Sequence, residues 1–313
     1  MTRKIIIDCD PGIDDAVAIC MALFDPRLDV LAITATAGTA DAEQATTNVN
    51  AIVSHLDPPR YPRIGKATMT DDGPVISDSH LHGRHGLGNW PIQTTERQHQ
   101  PTSEKVMGEL LRKYPGEVAL VCLGPLTNVA RLFQRDPAVI PLVDKLVISG
   151  GAVTCAGNAS PVAEHNMFFD PLSASEVFSS ATTKSLVPLD ITEQICFGVE
   201  LLELLPPKYS RAGALLHELM PFAFRVAHQS LGREVIPLYD PTTLLSFLEP
   251  ELFAWTEMAG RVETTGELTS GATVFDRRLR PEWQDNMEVA TDVQIDEVKE
   301  MIIRSLRFAG QQS

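Results

Sequence analysis

Near its start the chain reads Lys4-Ile5-Ile6-Ile7-Asp8-Cys9-Asp10-Pro11-Gly12-Ile13-Asp14-Asp15, followed by the apolar run from Ala16 to Phe24. Ile5-Ile6-Ile7 predicts a buried parallel strand, and the run after Asp15 predicts a buried helix. Four carboxylates crowded into one strand-to-helix turn repel one another at neutral pH. A fold keeps them together when a cation neutralises them, when they share protons, or when water surrounds them. Apolar segments on both sides argue against open water. Ligands of α/β proteins bind where such strands end. The turn is therefore the first candidate site, and a hard divalent ion held by oxygen atoms is its natural counter-charge.

Outward from this turn, strands and helices alternate. Strands are predicted at 30–35, 118–123, 145–148 and 185–189, and helices at 43–56, 103–114, 127–134 and 171–179. The pattern predicts an α/β fold with an open, mostly parallel sheet covered by helices on both faces. After about residue 195 the chain turns mainly helical, with its longest helical stretch at 208–231. Strands return at 255–263 and 287–293, and a final helix is expected at 296–308. No repeat or linker divides the chain, so one domain over 1–313 is the expectation. The segment 68–100, rich in Gly, His and Asp, reads as a long loop of the kind that covers active sites.

The 313 residues suffice for one large α/β domain, and the hydrophobic fraction of 44% is that of a globular protein. A formal charge of -15 opposes non-specific nucleic-acid binding. Cys9, Cys20, Cys122, Cys155 and Cys196 are odd in number and scattered, which predicts reduced thiols in a cytoplasmic protein. The first strand follows Met1 almost at once, so no signal peptide is expected, and no apolar run approaches a membrane span.

Further polar clusters follow predicted strands or lie on loops that can face them: Leu123-Gly124-Pro125-Leu126-Thr127-Asn128; Gly157-Asn158 with Glu164-His165-Asn166; Leu238-Tyr239-Asp240-Pro241; and His80, His82 and His85. Each has a plain structural reading. A single aspartate after a strand is often a helix cap, and Asp14 or Asp240 would serve. Asn158 and Asn166 suit turns, and loop histidines are commonly solvated. One cap needs one oxygen, however, so capping does not account for Asp8, Asp10, Asp14 and Asp15 together.

Taken in order, these segments resemble the nucleoside hydrolase family over nearly the whole chain. The signature is Asp8-Cys9-Asp10-Pro11-Gly12-Ile13-Asp14-Asp15-Ala16, supported by His82-Gly83-Arg84-His85-Gly86-Leu87, by Gly124-Pro125-Leu126-Thr127-Asn128, by the Asn158 to Asn166 loop and by Asp240. The resemblance implies one open α/β domain of the nucleoside hydrolase fold and a tightly bound Ca2+. It also implies hydrolysis of the N-glycosidic bond of a ribonucleoside, and a homodimer or homotetramer. By motif match Asp10, Asp15, Asp240 and the Leu123 carbonyl would hold the calcium. Asp14, Asn158, Glu164 and Asn166 would hold the ribose, and Asp10 would be the general base.

Three positions depart from the commonest family pattern. Thr39 stands where many members carry Asn, Ser149 where Met is frequent, and Tyr239 where His is usual. That His is the usual candidate for protonating the leaving base. His82 is then the first candidate acid, His228 the second, and Tyr239 a weaker one near neutral pH. The departures also motivate an alternative, a nucleoside-binding or sensing protein with little turnover. A haloacid dehalogenase-type phosphatase fits less well, because Pro11-Gly12 replaces the usual continuation. A calcium loop of the EF-hand kind would need its glycine at Ile13.

Overall fold

The computed structural model describes residues 2–68, 79–83, 85–92 and 100–313. Among them the strands are β1 (Arg3–Cys9), β2 (Leu28–Ala35), β3 (Arg63–Gly65), β4 (Val118–Cys122), β5 (Val143–Ser149), β6 (Lys184–Val187), β7 (Cys196–Gly198), β8 (Val235–Pro237), β9 (Phe253–Met258), β10 (Gly260–Val262), β11 (Thr273–Phe275) and β12 (Met287–Val293). Eight of them form one sheet in the order β3-β2-β1-β4-β5-β6-β12-β9. Its neighbours run parallel except for β12 and β9. The expected open, mostly parallel α/β fold is therefore the one observed.

Why these residues make this sheet follows from the period of two along a strand. Ile5 and Ile7 face a core built with the helices Ile13–Phe24, Ala42–Leu56, Arg211–Leu231, Tyr239–Leu248 and Ile295–Gln312. Ile6 faces the opposite core, with the helices Ser103–Lys113, Thr127–Arg135 and Pro171–Ser179. Both faces are dry, so the strand is apolar at successive positions rather than at alternate ones.

The strand order places the site. From β1 the chain builds outward through β2 and β3, then returns to lay β4 against the other side of β1. The order reverses between β1 and β4, and in open α/β sheets ligands bind beyond the carboxyl ends of the strands at such a switch point. Asp8 pairs in register with Cys122 of β4. The aspartate turn and Leu123 therefore leave the sheet side by side at that switch point.

Two expectations need correction. The predicted strand 255–263 is two strands. β9 belongs to the main sheet, whereas β10 pairs with β11 in a separate ribbon. At the break, the side-chain amide of Asn286 takes both backbone groups of Gly260, donating to its carbonyl and accepting from its N–H at 2.9 Å each, so the strand cannot run on in the sheet. The helix predicted at 208–231 starts later, at Arg211. Ser210 caps it, its Oγ accepting from the Gly213 N–H at 3.0 Å. The long segment 68–100 falls partly outside the described residues, as does Arg84 of its histidine motif. Within it a short helix, Ser79–His82, is described. Among the described residues no helix is long and apolar enough to cross a membrane.

Candidate active site

The site forms around the carboxylate of Asp10, which is 4% exposed. Two glycines leave the slot it occupies. A Cβ on Gly38 would come 2.1 Å from Asp10 Oδ2, and one on Gly124 would come 2.4 Å from Oδ1. Oδ2 accepts hydrogen bonds from the Thr39 N–H at 2.6 Å and the Thr39 hydroxyl at 3.0 Å. Oδ1 therefore faces Gly124, next to Leu123.

Beneath it, Asp8 joins β1 to β4. Its backbone carbonyl accepts from the N–H of Leu123 at 2.8 Å. Its Oδ1 accepts from the Thr34 hydroxyl at 2.7 Å and the Asn128 amide at 2.9 Å. The Leu123 carbonyl meets the side chain of Asn166, whose Nδ2 donates to it at 2.7 Å and to the Ser149 carbonyl at 3.1 Å. Both amide hydrogens are thus used on carbonyls. That fixes the orientation of the amide and leaves Asn166 Oδ1 as an acceptor.

Asp14 and Asp15 open the helix Ile13–Phe24. Asp15 Oδ2 accepts from the Gly12 N–H at 2.8 Å, and Asp14 Oδ2 accepts from the Asp240 N–H at 2.9 Å. The second oxygen of each is buried and has no hydrogen-bond partner among the described residues. Asp240, 6% exposed, receives a long contact of 3.4 Å from the Ser149 hydroxyl. A buried acceptor without a donor is costly, so these oxygens are candidate ligand atoms.

Burial raises every one of these acids. It pushes Asp10 up to about 6, against the pull of His165 and the Thr39 bonds. Asp15 is pushed up to about 7 by burial and then by the charge of Asp10. Asp14 is pushed up to about 8, burial again leading. Asp240 is held well above the carboxylate range by burial and by the charges of Asp15, Asp14 and Asp10. Asp8 is pushed up to about 7 by burial. Asp10, Asp15, Asp14 and Asp240 feel one another, so the structure does bring them together.

The remaining predicted residues divide. Glu164 is buried and caps the short helix His165–Phe169, accepting from the N–H groups of Asn166 at 3.0 Å and Met167 at 3.2 Å. Its Oε2 also accepts from Gly151 at 3.0 Å. Asn158 is exposed and accepts from the His165 N–H at 2.8 Å. His82 lies over the aspartate turn, its Nδ1 within 3.2 Å of where a Cβ on Gly12 would be. The Tyr239 hydroxyl donates to Glu193 at 2.6 Å, and Glu193 pairs with Arg233 at 3.1 Å. Burial and Glu193 push the tyrosine far above its ordinary range. His228 is exposed and contacts Glu234 at 3.0 Å.

Sequence reasoning gave no role to His165. It stands close enough to favour the ionised forms of both Asp10 and Glu164. Its only signal was its place between Glu164 and Asn166. Glu193 was missed entirely, since nothing near it in sequence marks it.

The donor set suits a hard cation. It consists of carboxylate oxygens and a backbone carbonyl, with no thiolate in it. Among the described residues no three His, Cys, Asp or Glu side chains stand in metal-ligand geometry.

The sequence profile described as inosine-uridine preferring nucleoside hydrolase matches residues 5–300. The chain belongs to this family. It is 37% identical to the probable uridine nucleosidase 1 of Oryza sativa subsp. japonica over 283 residues, covering 88% of this chain and 86% of that protein. It is 34% identical to the pyrimidine-specific ribonucleoside hydrolase RihA of Escherichia coli O157:H7, covering 98% and 99%. Among solved structures it matches the plant nucleoside hydrolase PpNRh1 with a TM-score of 0.91 at 29% identity, covering 98% and 99% of the two chains. This family member is a nucleoside hydrolase, an enzyme that cleaves N-ribosyl bonds. Relatives named as hydrolases and nucleosidases give no support to the non-catalytic alternative.

Proposed function

We propose that this chain hydrolyses the N-glycosidic bond of ribonucleosides, giving ribose and a free base, with calcium bound at the aspartate turn. The observation that carries the reading is the group of buried carboxylates at the switch point, with one oxygen each of Asp14 and Asp15 left without a donor. Asp10, Asp15, Asp240 and the Leu123 carbonyl would hold the ion, and Asp14, Asn158, Glu164 and Asn166 the ribose. When bound, the ion offsets the carboxylate charges, fixes the sugar diol and acidifies a water. Asp10 takes the proton of the attacking water at Oδ1, because Oδ2 is engaged by Thr39. Asp14 and the oriented Asn166 Oδ1 stabilise the positive charge that develops on the ring as the base departs.

The test is release of reducing sugar across a panel of purine and pyrimidine nucleosides, with and without a chelator. Uridine and cytidine come first, because the rice and Escherichia coli relatives carry pyrimidine names. Turnover should vanish with the chelator and return with added calcium. Full turnover in excess chelator would exclude the metal.

Metal removal should also show in stability. Acids raised on folding bind more protons in the folded than in the unfolded state, so the stability of the metal-free chain falls as pH rises. The window opens near an unfolded aspartate value of about 4 and extends through the folded values of about 6, 7 and 8. Calcium at about 100 times its Kd would add about 2.7 kcal/mol. Calorimetric melting should show the chelated protein losing Tm between pH 5.5 and pH 8, and the calcium-induced rise in Tm growing over that range. A calcium effect that is flat or shrinks with pH would contradict the assignment.

For the leaving base, the Tyr239 hydroxyl is committed to Glu193 and holds its proton tightly. His82 lies against the turn and remains the first candidate. The measurement compares His82→Ala, His228→Ala and Tyr239→Phe on uridine and on nitrophenyl riboside, whose nitrophenolate leaves without being protonated. We expect His82→Ala to lose about 10²-fold or more on uridine and much less on the activated riboside. Equal losses on both substrates would remove His82 as the acid.

A further inference from the structure

We propose that Thr39 is a positioning residue for Asp10, its hydroxyl holding Oδ2 so that Oδ1 presents to the ion and to the attacking water. The inference rests on the calcium reading above. It concerns a position where this chain departs from the commonest family residue.

Asp10 sits in a slot that two glycines keep open. Gly38 and Gly124 bound its carboxylate on either side, as the 2.1 Å and 2.4 Å approaches of their would-be Cβ atoms record. Walls of that kind set where the carboxylate lies. They do not fix the tilt of the carboxylate plane toward the site. Thr39 does, by placing both its backbone N–H and its hydroxyl on the same oxygen, at 2.6 Å and 3.0 Å. Oδ2 is then saturated, and rotation about the Cβ–Cγ bond would break two charge-assisted bonds at once. The backbone bond alone would anchor the oxygen at one point. The hydroxyl, approaching from a second direction, stops the carboxylate turning about that point.

Three substitutions separate this role from packing. Thr39→Val keeps the shape and the N–H but removes the hydroxyl. Thr39→Ala removes the hydroxyl with less bulk and stands in should the valine variant fold poorly. Thr39→Ser keeps the hydroxyl but loses the methyl group, which lies 3.2 Å from where a Cβ on Gly12 would be. Chelator-stripped proteins are titrated with calcium in a calorimeter, and kcat and KM are measured separately at saturating calcium. A hydrogen bond to a charged group is worth about a tenfold effect or more. Val and Ala should therefore bind calcium about tenfold more weakly and lose about tenfold in kcat, with KM for the nucleoside within about twofold. Ser should stay within about twofold of the parent on all three. Val and Ala variants with parental calcium affinity and kcat would overturn the inference. So would a Ser variant as impaired as Val, which would assign the effect to the methyl group. A parent protein that gives no heat with calcium but turns over would overturn the metal reading itself, a different result from either.

Discussion

Asp10→Asn should abolish turnover while leaving the fold intact. The asparagine carbonyl can keep both Thr39 bonds, since it accepts as Asp10 Oδ2 does. Its amide then replaces Oδ1, which faces Gly124. An amide neither takes a proton nor ligates a hard cation through its nitrogen. Losing a general base costs about 10²- to 10⁴-fold, and loss of a metal ligand adds to it, so kcat should fall by about 10³-fold or more. The metal-free variant should, conversely, melt higher than the metal-free parent at pH 8. It removes one of four buried acids that repel one another and lack full solvation. Stopped or continuous sugar-release assays and calorimetric melting check the two signs. Parental turnover would remove Asp10 as the base. A lower Tm in the metal-free state would show that carboxylate repulsion is not what burdens this turn.

The second large effect concerns the sugar. Ribonucleosides should exceed their 2′-deoxy counterparts in kcat/KM by about 10⁴-fold, the order reached by sites built to hydrogen-bond a hydroxyl. The reason lies in atoms already in place. Asp14 Oδ1 is buried without a donor among the described residues. A hydroxyl supplies that donor, and its absence leaves the oxygen buried and unpaired while the substrate is bound. Uridine against 2′-deoxyuridine is the direct comparison. Rates within tenfold of each other would mean that these oxygens do not read the sugar.

What could be read in the sequence was local. The Ile5-Ile6-Ile7 strand, its aspartates and the helix after them are contiguous, so period and composition reveal them together. The alternation of strands and helices gave the parallel sheet for the same reason. The strand 255–263 was misread because β-period continues across Gly260, while the break depends on Asn286, 26 residues away. The bond from Asp240 to Asp14 joins positions 226 apart, and no window of sequence reports it. Asp240 stood out as a lone aspartate between apolar runs, but its place beside the ion was reached only through family resemblance. Glu193 beside Tyr239, and His165 beside Asp10, were invisible as partners because their relation is set by the fold, not by spacing. Glu164 drew notice as a possible sugar ligand, yet the structure also makes it a helix cap. Its two oxygens and several lone pairs permit both.

The same long bond bears on how the protein is made. Arg3 of β1 donates to the carbonyls of Phe247 and Leu248 at 2.7 Å and 2.8 Å, and Asp14 takes its hydrogen bond from Asp240. Inside the sheet, β12 separates β6 from β9. β1 and its aspartate turn are thus finished by segments that lie 226 to 245 residues after them in the chain. Until residues 240–293 have emerged, the nascent chain exposes an unclosed sheet edge at β6 and carries its acidic turn without Asp240. Such long-range closure is slow and leaves apolar surface open meanwhile. If calcium sits where we propose, its capture is a late event of biosynthesis, and a ribosome stalled before residue 240 displays an acidic turn still lacking Asp240.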